Sequence, residues 1–234
     1  MYWLFLLSAL VIAYLAGSVN FAIIVSVLLG KEDIRTVGNK NPGTANIARN
    51  FGKAWGAVVF LGDVAKVVVP LIVAEEIYFH SGTFEGTGGL MLIAMAAILG
   101  HRKPVFFRFA GGGGLATTLG AFAFFGLFEL LIAMFIGAGA GMILFKNREY
   151  KLGRWTAMLI IFLTPVTNLV FALILKTPVG GLLRFGGLYW PRIGAIAILA
   201  VYVFLSNLAT AFETIRSGKK NSASIPPVDH SADT

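Results

Sequence analysis

Long apolar runs separated by short polar loops constrain this chain more than any other feature of its sequence. The runs are drawn at residues 3–29, 54–78, 88–101, 115–127, 129–145, 155–175 and 192–213. Hydrocarbon offers no partner to a backbone N–H or C=O, so an apolar run of about 20 residues crosses a bilayer as an α-helix. We therefore predict an all-α integral membrane protein with about seven transmembrane helices.

Composition supports this class. The chain is 57% apolar and 13% charged, whereas soluble domains are roughly 45–50% apolar and about 25% charged. Cysteine is absent, which excludes disulfides, thiolate chemistry and cysteine-based metal sites. The N-terminal run lacks a basic segment before it, so we expect a retained span rather than a cleaved signal.

The basic residues predict an orientation. Segments 31–53, 102–114, 146–154 and the C-terminal tail hold 15 of the 19 Lys and Arg residues. Such loops stay on the cytoplasmic side, which predicts an N-terminus outside, a cytoplasmic C-terminus and a multi-pass cell-membrane protein. We expect a membrane domain over 1–215 and a disordered cytoplasmic tail over 216–234.

The net charge of +8 comes largely from these loops. Basic loops beside apolar runs suit anionic membrane lipids or phosphorylated substrates. Nucleic acid is not an expected partner, because the basic residues are explained by membrane orientation.

The first long polar loop, "GNKNPGTANIARNFGKA" at residues 38–54, contains a turn followed by a helix start. Pro42 fixes φ and Gly43 permits φ > 0, and Thr44 is the predicted N-cap. The N–H groups at a helix start and a nearby guanidinium both favour an anion. The predicted phosphate contacts are Asn39, Asn41, Gly43, Thr44 and Arg49. The alternative is an ordinary polar membrane loop with a capped helix.

The second polar loop, "GHRKPVFFRFAGGGGLAT" at residues 100–117, places four glycines before an apolar helix start. Successive glycines let backbone amides approach an anion. The predicted phosphate contacts are Gly111, Gly112, Gly113, Gly114 and Thr117, although the G-K-[ST] ending of a Walker A loop is missing. His101 is a candidate for proton transfer or phosphate binding; the alternative is a hydrogen-bonded structural residue.

Two charges three residues apart lie inside an apolar run, in "FLGDVAKVVVP". Asp63 and Lys66 share a helix face at this spacing, and ionisable groups within a membrane are candidates for function because their burial is costly. Asp63 could orient Arg49 or bind a substrate hydroxyl; alternatively, the two charges neutralise each other and lock the bundle. We take His101, Asn46 and Asp63 as the candidate catalytic residues and expect no metal and no cofactor.

Together the loops resemble the PlsY family, the bacterial membrane acyl-phosphate:glycerol-3-phosphate acyltransferases. The first motif matches at Gly17, Ser18, Phe21, Asp33, Ile34, Arg35, Gly38, Asn41, Gly43, Asn46 and Arg49, followed by Asp63 and Lys66. The second matches at Gly100, His101, Pro104, Val105, Phe106, Phe109, Gly111, Gly112, Gly114, Ala116 and Thr117. Order and spacing agree over roughly residues 10–120; beyond them the resemblance rests mainly on hydropathy.

The resemblance implies a seven-helix membrane fold with its active site on the cytoplasmic side. Members of the family transfer a fatty acyl group from acyl phosphate to the 1-hydroxyl of glycerol 3-phosphate, giving lysophosphatidic acid for phospholipid synthesis. They need no metal and no acyl-carrier protein. Acyl phosphate carries a good leaving group, so positioning and charge stabilisation can suffice without a nucleophilic Cys or Ser.

The departures from the family pattern fall in these two motifs and in a segment after the last helix. Asn39 replaces a Ser, and Thr44 with the following alanine reverses an A-T pair. Gly113 replaces a Lys expected to meet phosphate, a role that Gly cannot fill. After the last helix Asn207 matches and is taken as a further substrate or phosphate contact, but Phe204 occupies the position of a His. The chain is therefore interpreted as a divergent member, in which Lys40 or Lys103 could replace the lost charge.

Three functions remain open from the sequence. The first is an acyltransferase, which we adopt. The second is a catalytically lapsed paralogue that binds phosphorylated lipid or assists another membrane protein. The third, a small transporter of organic phosphate, should show pseudo-repeats or paired broken helices, and neither is clear.

Overall fold

Within the described part of the chain, the elements are helical. The computed structural model describes residues 2–78, 84–144, 149–175 and 189–222. The helices are α1 (Tyr2–Ser18), α2 (Phe21–Leu28), α3 (Thr44–Asn50), α4 (Lys53–Ile77), α5 (Phe84–Arg102), α6 (Leu115–Leu144), α7 (Glu149–Leu175) and α8 (Tyr189–Ser222). A 3₁₀ turn spans Val105–Phe107. The all-α prediction is confirmed.

Five segments of the described residues are long and apolar enough to cross a membrane. They are Tyr2–Leu28, Lys53–Ile77, Glu85–Phe107, Leu115–Leu144 and Trp155–Ile174, with a shorter apolar helix at Trp190–Leu205. Their outward faces carry large apolar side chains, among them Trp3, Phe135 and Ile143, each at least 77% exposed. Lipid is the solvent that such a surface requires.

The predicted helix over 3–29 is broken. It divides into α1 and α2 at Val19 and Asn20, where Asn20 has an extended backbone and its side chain accepts a hydrogen bond from the N–H of Ile23 at 3.1 Å. An Asn at this position is a favourable N-cap. The break releases the carbonyl of Val19 from the helix, and a side chain of α4 uses it, as described below.

Helix α6 is two antiparallel arms. Gly126 has non-helical dihedral angles (φ −167°, ψ 81°). The first arm packs along α7. It begins near Ala157, which lines the same cavity as Leu115, and ends at Gly126, beside Asn168. The second arm returns from Thr167, whose hydroxyl donates to the carbonyl of Glu129 at 3.0 Å, to Thr156 beside Gly141. The sequence prediction of two helices over 115–145 agrees with this hairpin.

Close packing of α1 on α5 sets the floor of the site. A methyl group built on Gly17 would collide with the backbone of Ala97, and one on Gly100 would collide with the carbonyl of Tyr14. Glycine at both positions lets the two backbones approach directly, as is common between membrane helices. This contact holds the end of α5, which carries His101, against the break between α1 and α2.

Some sequence predictions lie outside what the structure tests. The side of the membrane that each loop faces stays a prediction, as do the domain limits. Helix α8 continues to Ser222, and residues 223–234 of the predicted tail lie outside the described residues.

Candidate active site

The two polar loops meet on one side of the bundle. A methyl group built on Gly112 would collide with the imidazole of His101 and lie 2.7 Å from the carbonyl oxygen of Pro42. Arg35 extends from the first loop, and its Nη1 donates to the carbonyl of Phe107 at 3.4 Å. Segments 38–49 and 101–117, which are some 60 residues apart in sequence, are therefore neighbours in the fold.

A cavity of about 210 Å³ lies where the loops meet. Its polar lining, the polar wall, is formed by Asn39, Asn41, Thr44, Arg49, Asp63 and His101, together with Gly43, Gly113, Gly114 and Ala45 of the same loops. The other wall is apolar and is formed by Phe60, Leu115, Ala116, Leu119 and Ala157. The volume is below the roughly 300–1,000 Å³ typical of pockets for drug-sized ligands. A small polar substrate with an apolar attachment suits a cavity of this size and two-sided lining.

Arg49 is the exposed cation of this wall. It lies in the last turn of α3, and its side chain makes no ion pair with any residue that the structure describes. A planar guanidinium in that state can bind a phosphate through two parallel hydrogen bonds. Asp63 does not orient Arg49, as had been one prediction, because Asp63 is engaged elsewhere.

A buried network of three charged or polar side chains forms the base of the cavity. Lys66 Nζ lies 2.8 Å from Asp63 Oδ1, 2.7 Å from His101 Nδ1 and 3.0 Å from the carbonyl oxygen of Val19. Asp63, Lys66 and His101 are 1%, 6% and 3% exposed. The ion pair left open as an alternative is present, and it also includes His101.

The charge of Lys66 decides the tautomer of His101. An ammonium group has three donors and no acceptor, so beside a charged Lys66 the Nδ1 atom of His101 accepts and the ring proton lies on Nε2, the nitrogen next to Gly112. Nδ1 also lies 3.4 Å from Asp63 Oδ1, to which a protonated Nδ1 would donate. With the proton on Nε2, His101 offers a hydrogen-bond donor to the site rather than a base.

Asn46 holds the first loop together and does not line the cavity. Its Nδ2 donates to the carbonyls of Ile34 and Val37 at 3.2 and 2.9 Å, and its Oδ1 accepts from the N–H of Asn39 and from Asn50. All the polar atoms of this buried amide are occupied. In this structure Asn46 therefore positions the first loop, and the catalytic role stays a prediction.

Thr44 is not the N-cap that the sequence predicted. Gly43 occupies the cap with φ −159°, an extended rather than left-handed backbone, and no side chain caps α3. Positive φ occurs instead at Gly38 and Lys40, both 59°. The hydroxyl of Thr44 is buried without a hydrogen-bond partner, and the residue lines the cavity. It is thus free to bind a substrate.

Asp33 and Arg35 fix the base of the first loop. Arg35 Nε and Nη2 donate to Asp33 Oδ2 at 2.9 and 2.6 Å. These hydrogen bonds hold the pKa of the Asp33 carboxyl below its ordinary value. Because the pair also contacts the carbonyl of Phe107, it couples the two loops.

The glycine-rich segment divides into lining and supporting residues. Gly113 and Gly114 line the cavity. The carbonyl of Gly113 accepts from Arg102 Nη1 at 2.8 Å and from Asn207 Nδ2 at 3.0 Å, so Asn207 supports the loop rather than lining the cavity. Gly111, Gly112 and Thr117 are not among the residues that line the cavity. The N–H of Gly112 donates to the carbonyl of His101 at 3.2 Å, and the buried hydroxyl of Thr117 has no hydrogen-bond partner among the described residues.

Phe204 does not line the cavity of the candidate active site. It contributes to a separate apolar cavity of about 300 Å³ lined by Leu144, Trp155, Met158, Leu159 and Phe162. The position at which the resemblance expects a His therefore carries an aromatic ring among apolar neighbours.

The profile of the family described as glycerol-3-phosphate acyltransferase matches residues 7–216. The chain belongs to that family. A glycerol-3-phosphate acyltransferase of Mycoplasma mobile is 31% identical over 221 residues, covering 90% of this chain and 87% of the relative.

Other members of the family match over a shorter segment. The enzyme of that name from Albidiferax ferrireducens is 45% identical over 116 residues, covering 50% of this chain and 51% of the relative. The one from Neisseria meningitidis serogroup C is 42% identical over 117 residues, covering 50% and 58%. The aligned segment thus spans about half the length of these relatives.

Solved structures of the family share the fold. The chain resembles PlsY, an integral membrane glycerol 3-phosphate acyltransferase, in its glycerol 3-phosphate form with a TM-score of 0.60 and 26% identity, over 89% of this chain and 92% of the other. The lysophosphatidic acid form of PlsY gives a TM-score of 0.59 and 25% identity. The membrane fold and the family that the sequence predicted are confirmed.

Sequence reasoning missed the apolar wall and the role of Lys66. Phe60, Leu119 and Ala157 carry no chemical signal, because apolar residues in a membrane helix look alike whether they face lipid or a cavity. Lys66 was assigned to a pair with Asp63. Its bond to His101, 35 residues later, has no local signature, although two ionisable groups inside apolar runs could have suggested a search for a third partner.

Proposed function

We propose that this protein transfers a fatty acyl group from an acyl phosphate to the 1-hydroxyl of glycerol 3-phosphate, giving lysophosphatidic acid at the cytoplasmic face of the cell membrane. One observation carries the proposal: two separate polar loops close on a single cavity with a polar and an apolar wall. The forms in which PlsY was solved, with glycerol 3-phosphate and with lysophosphatidic acid, support it.

The polar wall suits the acceptor. Arg49, Asn39 and Asn41 offer donors to the phosphate of glycerol 3-phosphate, and the unpartnered hydroxyl of Thr44 can bind a glycerol hydroxyl. The apolar wall, which includes Phe60 and the start of α6, suits the acyl chain of a donor entering from the bilayer. Both substrates then meet where polar and apolar walls join, so the reaction becomes effectively unimolecular.

The transfer balances without a protein nucleophile. The 1-hydroxyl oxygen attacks the carbonyl carbon of the acyl phosphate, a carbon–oxygen ester bond forms, and the bond from that carbon to the phosphate oxygen breaks. The hydroxyl proton ends on the released phosphate. His101 Nε2–H and the backbone of Gly113 and Gly114 are placed to stabilise the negative charge that develops. The buried pair of Asp63 and Lys66 fixes the ring of His101.

A second candidate is a lapsed relative that binds phosphorylated lipid without transferring an acyl group. Gly113 favours it, because this cavity-lining position offers no cation to the leaving phosphate. Phe204, in its apolar cavity, favours it as well. Restoring the family's Lys at position 113 can separate the two candidates. A side chain there can be accommodated, because a methyl group built on Gly113 meets only the side-chain oxygen of Asn207, at 3.0 Å, and that side chain can move.

The test uses full-length protein in lipid vesicles supplied with palmitoyl phosphate and glycerol 3-phosphate. Lysophosphatidic acid and inorganic phosphate are measured, and we expect equal amounts above an empty-vesicle control. Gly113→Lys, alone and with Phe204→His, should raise the rate. Product from the restored variants alone would identify the lapsed relative. No product from the wild type or either variant would contradict acyl transfer.

A further inference from the structure

A turn at the end of α5 exposes two aromatic and two basic side chains. Phe106 and Phe109 are 58% and 54% exposed, and Lys103 and Arg108 are exposed as well. None of the four lines the cavity of the candidate active site. The proposed acyl transfer therefore leaves them without a role.

The backbone of the turn is held in an unusual shape that displays these side chains. Arg108 and Phe109 both have left-handed dihedral angles, with φ of 54° and 58°, which side-chain-bearing residues adopt rarely and only where surroundings enforce it. The N–H of Phe109 donates to the carbonyl of Pro104 at 2.9 Å. Phe107 turns inward and packs on the apolar cluster that includes Ile34 and Ile47. As a result Phe106 and Phe109 face outward.

The turn is fixed at the end of a membrane span. The apolar segment Glu85–Phe107 ends within it. The hydroxyl of Tyr14 donates to the carbonyl of Lys103 at 2.8 Å, and the N–H of Val105 donates to the hydroxyl of Ser18 at 3.4 Å. Both contacts attach the turn to α1. Outward aromatic rings at this depth lie at the boundary between acyl chains and headgroups.

Charge identifies the partner. Lys103 and Arg108 lie on either side of Phe106 in the chain, and Phe109 directly follows Arg108. The carboxylate of Asp33, which could compete for them, is already paired with Arg35. Basic side chains at a membrane surface attract anionic lipids, each contributing roughly fivefold in affinity. A zwitterionic headgroup also carries a phosphate, but its own ammonium group offsets that charge, so two protein cations favour a lipid with net negative charge.

We propose that the turn Lys103–Phe109 is a binding site for an anionic phospholipid. Phe106 and Phe109 insert among the acyl chains, while Lys103 and Arg108 bind the headgroup phosphate. The site is distinct from the cavity but connected to it, because Phe107 accepts a hydrogen bond from Arg35 of the first loop. By binding there, the lipid fixes the depth of the second loop in the membrane, at which Gly113 and Gly114 line the cavity.

The test counts bound lipids on the full-length protein in detergent by native mass spectrometry. Dioleoyl phosphatidylglycerol and dioleoyl phosphatidylcholine are titrated separately. We expect preferential binding of phosphatidylglycerol, and a loss of roughly twentyfold in its affinity for Lys103→Gln/Arg108→Asn, at the fivefold per basic residue above. Asn tolerates the left-handed backbone at 108. Phe106→Ser/Phe109→Ser should weaken binding of both lipids.

The matched control is Lys31→Gln/Lys53→Gln, which removes two exposed basic residues from other segments near the same loops. This pair should retain the preference for phosphatidylglycerol. An equal loss from the control would show that charge acts diffusely and would overturn the site. So would equal binding of the two lipids by the wild type. Because the readout is lipid retention, it is independent of whether the protein transfers acyl groups.

Discussion

At the scale of single residues, the Lys66 ammonium organises the site. It pairs with the carboxylate of Asp63, contacts Nδ1 of His101 and donates a hydrogen bond to the carbonyl of Val19, which the break between α1 and α2 leaves free. The sequence predicted that Asp63 and Lys66 share a helix face, since a spacing of three residues guarantees it. It did not predict the bond to His101, because α4 and α5 are brought together by packing rather than by any local pattern.

The first prediction concerns the loss of the Lys66 charge. Lys66→Met leaves a buried carboxylate without its cation, which typically costs about 3–5 kcal/mol. We expect a clear fall in the thermal unfolding temperature in detergent. Asp63→Leu/Lys66→Met should recover part of it, since an apolar pair can replace a buried ion pair. Lys53→Met, at an exposed position at the start of the same helix, is the control. An unchanged unfolding temperature for Lys66→Met would refute the network's structural role.

The second prediction concerns Arg49. Arg49→Ala removes the exposed guanidinium of the polar wall, and hydrogen bonds to charged groups contribute about 1.5–3 kcal/mol. The dissociation constant of glycerol 3-phosphate, measured by calorimetry, should rise roughly 10- to 100-fold. Lys53→Ala removes an exposed charge nearby without touching the cavity and should leave it unchanged. Equal affinities for wild type and Arg49→Ala would place the phosphate elsewhere.

At the scale of elements, close helix packing positions the site. The contact of α1 with α5 needs glycine at positions 17 and 100, where a methyl group would collide with the opposite backbone. The sequence marked both glycines through the family motifs, but it did not show that they face each other. The break at Val19 was missed for a related reason: an uninterrupted apolar run hides a helix break unless an N-cap such as Asn20 is noticed.

The third prediction compares two glycines of α5. Gly100→Ala should destabilise the protein by roughly 1–3 kcal/mol, because overpacking forces the backbones apart. Gly88→Ala is the matched control: a methyl group there meets nothing within 4 Å, so the change should be neutral or slightly stabilising. The measurement is the thermal unfolding temperature of wild type and of both variants in the same detergent, which should fall for Gly100→Ala only. Equal behaviour would contradict the close contact of α1 and α5.

Two charged residues near the ends of apolar segments are buried. Glu75 and Arg192 are 8% and 6% exposed. Arg192 interacts electrostatically with Glu75 and with Glu129, next to the break in α6. Neighbouring helices cover these side chains. Arginine can accommodate such burial because its weakly hydrated guanidinium pairs readily with carboxylates.

At the scale of the whole molecule, hydropathy and motif order predicted the fold and family. They did not predict which loop residues line the cavity and which ones support the loops from outside it. The cavity gathers Arg49, Thr44, His101 and Gly113, all of them predicted, from two distant segments. Asn46 and Asn207 were also predicted, and their amides are instead used in hydrogen bonds that hold the loops. Thr117 lies outside the cavity lining. The type of a side chain shows that it can bind phosphate. Whether its polar atoms are already hydrogen-bonded to other parts of the protein is decided by tertiary packing.

The most direct measurement asks whether the two loops form one site at one membrane face. The chain contains no cysteine, so Ala45→Cys and Ala116→Cys, one in each wall of the cavity, can be labelled singly with an impermeant maleimide in sealed inside-out vesicles. We predict that both react from the cytoplasmic side and that glycerol 3-phosphate slows both. Lys53→Cys and Lys103→Cys, outside the cavity, should react without protection. Labelling of the two positions from opposite faces, or protection of one alone, would contradict the account.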